Sequence, residues 1–456
     1  MMRKLLFYLA LAAALSFVCA VAAESEPPNI IVILADDLGY GDIGAYGCRD
    51  IETPNIDKLA ETGIQLTSGY VSAPYCGPSR AGLMTGRYQQ RHGFRHNPAI
   101  QEGGSPLGLD VEEETLGDVM TRAGYRTAAY GKWHLGGSEC FHPNNRGFYE
   151  FYGFLGGGHC FFPEQYADKM REWANPPDRP VTDLYMYGTP LEINGIDLPP
   201  QKGYLTDLLT TQAIAFMKGF RHRRLFMYVS YNAPHVPLEA PEEYLEKYSH
   251  IQDHKRRTYA AMVDNLDWNV GRIVSALDEL GKRENTLIVF LSDNGGPEKN
   301  GADNGLLRGE KGTTFEGGVR VPFIWNWPAG LVKDRTLDVP VSSLDLLPTF
   351  AALGGTEPAG KPLDGVNVLP WLRGTASGTP HERLFWDRDG QCGMREGDFK
   401  LVRMKNKPWM LFNVIEDIGE ETDLSASMPE KVKTMSMVYN NWLNPMPPAR
   451  WTDPQQ

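Results

Sequence analysis

Cysteine is scarce in this chain, with six in 456 residues, which excludes a small fold stapled by disulfides. After residues 5–18 no apolar run is long enough to span a bilayer. Internal repeats and low-complexity tracts are also lacking, which excludes solenoids and disordered scaffolds. Positive charge is in deficit. With 45 Lys and Arg against 57 Asp and Glu, the net charge of −12 argues against nonspecific attraction to nucleic acid or acidic membranes, so no nucleic-acid partner and no stable membrane insertion are expected. That deficit does not bar an anionic ligand, because a local cluster of Arg, Lys, His and a metal reverses the potential inside a pocket. What is present is 42% apolar residues over a length that holds one large domain and a smaller one.

The start of the chain reads as an export signal. Residues 1–4 are short and basic, residues 5–18 apolar, and Ala20-Val21-Ala22 has the small-x-small form of a cleavage site. Residues 1–23 are therefore expected to be a removable signal peptide, and the mature protein periplasmic or secreted. The competing reading, an uncleaved anchor, fits the small residues less well, and Ser16-Phe17-Val18 before Cys19 is a poor lipobox. Export permits disulfides among Cys48, Cys140, Cys160 and Cys392; Cys140 and Cys160 bracket one loop and are the first pair to test, with free buried thiols the equal alternative.

Several apolar runs end in polar groups. Residues 29–35 read as a buried strand delivering Asp36-Asp37. Residues 114–123 read as a helix stopped by Gly124, and residues 125–130 as a strand leading into Gly131-Lys132-Trp133-His134. Residues 225–231 run into Asn232-Ala233-Pro234-His235. Tyr259, Met262, Val263, Leu266, Val270, Ile273, Leu277 and Leu280 keep helical spacing up to Gly281, and a strand over 286–292 then ends at Asp293-Asn294. Helices alternating with short continuous apolar strands imply an α/β fold with a large, mostly parallel sheet sandwiched by helices. Ligands gather beyond the carboxyl ends of such strands, where all four polar groups fall.

Asp36, Asp37, Asp293 and Asn294 offer only oxygen ligands, the preference of hard cations such as Ca²⁺ or Mg²⁺, whereas zinc more often brings His or Cys. Adjacent carboxylates at a strand end repel without a cation. Either pair alone reads equally well as a turn; two pairs on one sheet edge favour a metal.

The string Cys76-Gly77-Pro78-Ser79-Arg80-Ala81-Gly82-Leu83-Met84-Thr85-Gly86-Arg87 reads as a helix over 79–84 with Pro78 in its first turn and Gly86 at its end. Cys76 then lies just ahead of a helix N-terminus, where unpaired N–H groups favour an anion such as sulfate or phosphate. This string resembles the signature of the type I sulfatases, the formylglycine-dependent branch of the alkaline phosphatase superfamily, and the resemblance runs from about residue 29 to the C-terminus.

The resemblance implies that Cys76 is oxidised to Cα-formylglycine by a separate formylglycine-generating enzyme that reads Cys-x-Pro-x-Arg, and that the hydrated aldehyde is the nucleophile. It implies one calcium ion held by Asp36, Asp37, Asp293, Asn294 and the formylglycine oxygen at Cys76. Arg80 matches the arginine that steadies the hydrate. Lys132 and His134 match residues contacting formylglycine and sulfate, His235 in Asn-Ala-Pro-His-Val-Pro matches the leaving-group histidine, and Lys311 in Arg-Gly-Glu-Lys-Gly matches a sulfate-binding lysine. By the same resemblance a covalent sulfated enzyme forms, His235 protonates the leaving oxygen, and the second hydroxyl of the hydrate loses its proton towards His134 as sulfate departs.

Residues 86–98 resemble bacterial carbohydrate sulfatases, which implies a sulfated galactose or N-acetylgalactosamine polysaccharide or oligosaccharide. Arg91, Arg95 and His96 read equally as sugar contacts or surface charge. The insertion over 156–200 carries His159, Phe161, Phe162, Tyr166, Trp173, Tyr185 and Tyr187, which suit sugar rings or local core. Beyond residues 24–353, the expected catalytic domain, a Gly- and Pro-rich stretch over 354–380 reads as a junction. Residues 381–456 read as an antiparallel α+β subdomain with strands near 384–386, 399–402 and 409–413 and a helix near 429–442. Two other functions remain open at this stage: a formylglycine-dependent phosphodiesterase or phosphonate monoester hydrolase, and a noncatalytic glycan-binding protein if Cys76 stays unmatured.

Overall fold

A strand of consecutive apolar residues must bury both of its faces. Asn29–Ala35 does so: Ile31, Ile33 and Ala35 enter one core and Ile30, Val32 and Leu34 the other, as the period of two requires. In the computed structural model, which describes residues 26–100, 105–174 and 187–452, this strand lies near the middle of a ten-stranded sheet. The expected signal over 1–23, Tyr185 and the side chain of Trp173 fall outside the described residues.

Thr286–Ser292, Asn29–Ala35, Leu225–Ser230, Arg126–Lys132 and Glu150–Phe154 lie side by side in that order and all parallel. Antiparallel strands continue the sheet on both sides, Phe323–Asn326 beyond Thr286–Ser292 and Glu192–Ile193 beyond Glu150–Phe154, so the sheet is mixed with a parallel centre. Register sets Ala35 opposite Ser292, and Leu34 and Gly131 opposite Ser230. The central strands therefore end level, and the loops leaving their carboxyl ends share one edge of the sheet.

Helices cover both faces. Leu205–Gly219 and His254–Glu279 pack on the Ile31 side, while Cys76–Thr85, Leu116–Arg122 and Leu346–Leu353 pack on the Ile30 side. Capping sets the boundaries: Asp253 accepts the Arg256 N–H at 2.7 Å, and Thr115 forms a reciprocal box with Asp118, so that helix begins at Leu116 rather than at the expected position 114. Among the described residues no helix is long and apolar enough to cross a membrane.

The C-terminal part forms a separate four-stranded antiparallel sheet, Arg383–Arg388, Gln391–Glu396, Phe399–Arg403 and Met410–Asn413, backed by the helix Pro429–Leu443. Gln391–Glu396 is absent from the sequence reading. Its signal is Asp389-Gly390, both with positive φ (48° and 87°), a two-residue hairpin turn of the kind such a dipeptide favours.

A buried ionic cluster ties this sheet to Gly69–Tyr70 and to the segment Glu316–Arg320. Glu316 accepts from Lys400 Nζ at 2.7 Å, from Tyr70 Oη at 2.7 Å and from Arg320 at 3.1 Å, and Lys400 also lies 3.4 Å from Glu420. Burial opposes charge on Glu316, yet Lys400, Arg320 and Arg395 hold its carboxyl down at about 2, while Glu420, buried with less compensation, is raised to about 7.

Of the two alternatives for Cys140 and Cys160, a bridge or free thiols, the structure has free thiols. Cys140 is exposed on a surface turn, whereas Cys160 is buried beside His159, where desolvation raises its thiol to about 12. Cys48, Cys76 and Cys392 are free thiols as well.

Removing one member of a buried ionic cluster leaves the others uncompensated. Lys400→Met is expected to lower unfolding free energy by about 3–5 kcal/mol, measured by urea unfolding against the unsubstituted protein. A change within the scatter of ordinary surface substitutions, about 0.5 kcal/mol, would show that the cluster does not hold the C-terminal sheet in place.

Candidate active site

The level strand ends bring the polar groups together. Asp36 and Asp37 come directly after Asn29–Ala35, and Asp293 and Asn294 directly after Thr286–Ser292. Asp37 adopts φ 66°, a left-handed conformation that Asp tolerates better than most residues. Its N–H donates to Asp293 Oδ1 at 3.3 Å and its Oδ1 accepts from Asn294 Nδ2 at 2.7 Å. All four are buried.

Arg80 threads between these groups. Its Nε and Nη2 both lie 2.8 Å from Asp293 Oδ2, and Nη1 donates to Ser230 Oγ at 2.5 Å and to the Lys132 carbonyl at 3.1 Å. Lys132, the last residue of Arg126–Lys132, donates to Asp36 Oδ2 at 2.6 Å. Lys311 Nζ lies 2.8 Å from the Asp37 carboxylate. Burial by itself would raise the Asp36 carboxyl, but Lys132, His235 and Arg80 together hold it below the usual range; Asp293, buried next to Asp36, rises to about 7 despite Arg80.

Cys76 is the first residue of the helix Cys76–Thr85, three residues earlier than the sequence reading started it, with Gly86 closing it at φ 64°. Pro78 fits within the first turn because no intrahelical bond needs its missing N–H. Gly77 N–H donates instead to Asn97 Oδ1 at 3.0 Å. Burial alone would push the Cys76 thiol up, yet Lys132 and Lys311, together with the neighbouring His134 and His235, hold it well below the usual thiol range.

The two histidines are shifted in opposite directions. Burial pushes His134 down to about 4 in the company of Lys132 and Arg80. Burial opposes charge on His235 as well, but Asp36 and Asp37 outweigh it and raise the imidazole above its usual value. His235 Nδ1 is 2.6 Å from the Val236 carbonyl, and Nε2 is 3.6 Å from Asp37 Oδ2. With Nδ1–H donating to that carbonyl, Nε2 is the nitrogen left for a reacting group.

A cavity of about 390 Å³ opens above Cys76, lined among others by Asp37, Lys311 and His235. Among the lining residues that the sequence reading did not assign to the site are Asn97, Lys299 and Arg388. Of the insertion's described aromatics, Tyr187 reaches the cavity, its Oη donating to Val236 O at 3.3 Å. The others are local packing: His159 stacks on Tyr166 at 4.7 Å, and Phe161 and Phe162 pack on Tyr204. Arg91, Arg95 and His96 point away to Asp364, Asp387 and Asp389 and line no part of it.

The donor set suits a hard cation. Asp36 Oδ1 and Asn294 Oδ1 are buried without a hydrogen-bond partner among the described residues, and ligand atoms of Asp36, Asp37, Cys76 and His235 lie within 4.8 Å of one another. His235 belongs to this group although the sequence reading assigned it to the leaving group alone. Oxygen donors from Asp36, Asp37, Asp293 and Asn294 fit Ca²⁺ or Mg²⁺.

A buried nucleophile at a helix N-terminus, two lysines and an acidic sheet edge define a hydrolase of anionic esters. A family model described as Sulfatase matches residues 28–356. Arylsulfatase A of Bos taurus is 34% identical over 451 residues, covering 90% of this chain and 85% of that protein. N-acetylgalactosamine-6-sulfatase of Homo sapiens is 36% identical over 360 residues, covering 76% and 66%. The crystal structure of Ps i-CgsB is similar at 39% identity and TM-score 0.87, covering 94% of this chain and 96% of that chain; the same protein in complex with k-i-k-neocarrahexaose matches at TM-score 0.86. The chain belongs to the sulfatase family of the alkaline phosphatase superfamily. It is a sulfuric ester hydrolase.

Calcium added to chelator-treated protein is expected to raise Tm through mass action on the folded state, with Asp36→Asn and Asp293→Ala blunting the rise. Thermal unfolding across a calcium titration checks this. If Tm of the unsubstituted protein is insensitive to calcium and magnesium alike, these oxygens do not form a cation site.

Proposed function

We propose that this sulfatase removes sulfate from a sulfated carbohydrate of galactose or N-acetylgalactosamine type, using the oxidised side chain of Cys76. The carrying observation is the position of Cys76: buried on the cavity floor at a helix N-terminus, in the field of Lys132 and Lys311, with His134 and His235 as neighbours. The sugar class is supported by similarity to Ps i-CgsB, which has been solved with an oligosaccharide, and to N-acetylgalactosamine-6-sulfatase.

A formylglycine hydrate at position 76 would supply an oxygen nucleophile whose second hydroxyl lets sulfate leave without water attacking sulfur. A calcium ion on Asp36, Asp37, Asp293 and Asn294 would add positive charge beside a sulfate oxygen. Lys132 and Lys311 hold the remaining charged oxygens and keep sulfur open to in-line attack. Arg80 steadies the side chain at position 76 from the same helix face, one turn on. His235, favoured in its charged form, donates from Nε2 to the leaving oxygen, and His134, favoured neutral, accepts a proton at position 76. Maturation by a formylglycine-generating enzyme, export behind residues 1–23 to the periplasm or beyond, and division at residues 354–380 belong to the same proposal.

Peptide mass spectrometry of active, natively produced protein is expected to find the aldehyde or its hydrate at position 76, and Cys76→Ser to lose turnover of sulfated oligosaccharides while keeping its fold by circular dichroism. Full activity from protein carrying unmodified cysteine would falsify the mechanism.

Loss of His235 should depend on the leaving group. On a sugar sulfate, whose alkoxide must be protonated, His235→Ala is expected to slow turnover by a factor of ~10² to 10⁴, and on para-nitrophenyl sulfate far less. His134→Ala is expected to slow both. Steady-state kinetics on the two substrates separates these roles, and equal losses on both for His235→Ala would remove the assignment of His235 as acid.

A further inference from the structure

We infer that the cavity holds, besides the scissile sulfate, a second oxyanion of the same substrate, and that Arg388 and Lys299 bind it. This rests on the reading of the cavity as a sulfatase site and names the substrate class more closely: a sugar ligand carrying two anionic groups.

Cations near the site are mostly committed. Lys132 is held by Asp36, Lys311 by Asp37 and Arg80 by Asp293. Arg91 and Arg95, which the sequence left open as sugar contacts or surface charge, are taken by Asp364 and Asp387. Two cations of the cavity lining differ. Lys299 is exposed, and its ammonium has no partner among the described residues. Arg388, the last residue of Arg383–Arg388, uses Nη1 to donate to the Gly312 carbonyl at 2.6 Å and rests 4.5 Å from the centre of the Tyr75 ring. Its Nε and Nη2 make no hydrogen bond among the described residues.

Those contacts place Arg388 beside both reacting segments. Gly312 is next to Lys311 in the chain, and Tyr75 is next to Cys76. The fit is close: a side-chain carbon at Gly312 would meet Arg388 Nη1, and Gly312 has φ 91°, so glycine is what leaves room for the guanidinium. Braced at one nitrogen and on one ring face, Arg388 presents the rest of its fork at little further entropic cost, and such a fork suits sulfate or carboxylate. The carboxylates of the lining do not outweigh it: Asp37 pairs with Lys311, and Glu310, whose Oε2 accepts the Glu298 N–H at 2.7 Å, leaves one negative charge against the two of Arg388 and Lys299. With Lys299 on the same cavity, the space beyond Lys311 attracts an anion that the reaction itself does not require.

The test is equilibrium binding by calorimetry to calcium-loaded Cys76→Ser protein, which does not turn over. The probes are galactose disaccharides bearing one sulfate, two sulfates, or one sulfate and one uronate carboxyl. The two-anion probes are expected to bind about tenfold or more tighter than the one-anion probe, with the margin shrinking as salt rises. The two probes separate sulfate from carboxylate as the second group. Arg388→Lys, which keeps charge but loses the fork, and Lys299→Glu, which removes an ammonium without a partner among the described residues and keeps the carbonyl that accepts from Lys255 Nζ, should each shrink the margin. Equal binding of all three probes, absence of binding, or equal weakening of all three by both substitutions overturns the inference. Turnover of para-nitrophenyl sulfate by matured protein tests the underlying reading separately. Turnover without the binding margin sinks the second-anion site alone, and the margin without turnover sinks the sulfatase reading of the cavity while leaving its two-anion preference standing.

Discussion

Three buried carboxylates, Asp36, Asp37 and Asp293, lie at the ends of two adjacent strands, and the site exists because Arg80, Lys132 and Lys311 meet them there. Like charges at this separation in a desolvated place repel strongly. Arg80 is the hub: one guanidinium joins Asp293, Ser230 and the Lys132 carbonyl, the ends of three strands of the sheet. Arg80 and Cys76 sit four residues apart on one helix, so the contact that holds the carboxylates also fixes which way the nucleophile faces.

The site divides by origin. Groups placed for chemistry come from the sheet edge and the helix beneath it, rigid elements whose side chains are locked by one another. Groups lining the upper cavity come from elsewhere: Asn97 from the segment after the helix, Tyr187 from the long insertion, Arg388 from the C-terminal sheet. Such a division lets recognition change without disturbing the reaction centre.

The central strands were legible in sequence because each is continuously apolar and stops at a polar group, a pattern that both names the strand and marks its carboxyl end. The motifs around Lys132 and His235 were legible for the same local reason, whereas Cys76 and Lys311 stood out only through the resemblance of the strings that carry them. What escaped depends on contacts distant in sequence. Arg388 is an unremarked arginine before a turn until the second sheet folds back over Gly312. Arg91 and Arg95 looked available because their partners, Asp364 and Asp387, lie far along the chain. Cys140 and Cys160 bracket a loop in sequence, but one side chain turns to solvent and the other into the core. The strand Gln391–Glu396 lacks apolar alternation, and its turn dipeptide was the one local sign of it.

The segment from Cys76 to Arg80 is wholly buried, beneath the cavity and against the sheet. A second enzyme that reads cysteine, proline and arginine together has no access to that segment once Arg80 has closed on Asp293. If Cys76 is oxidised as proposed, the oxidation must come while the chain is still extended. Folding then works as a deadline: a molecule that folds first keeps its thiol, with the same shape, the same charges and no route back to the modifying enzyme short of unfolding.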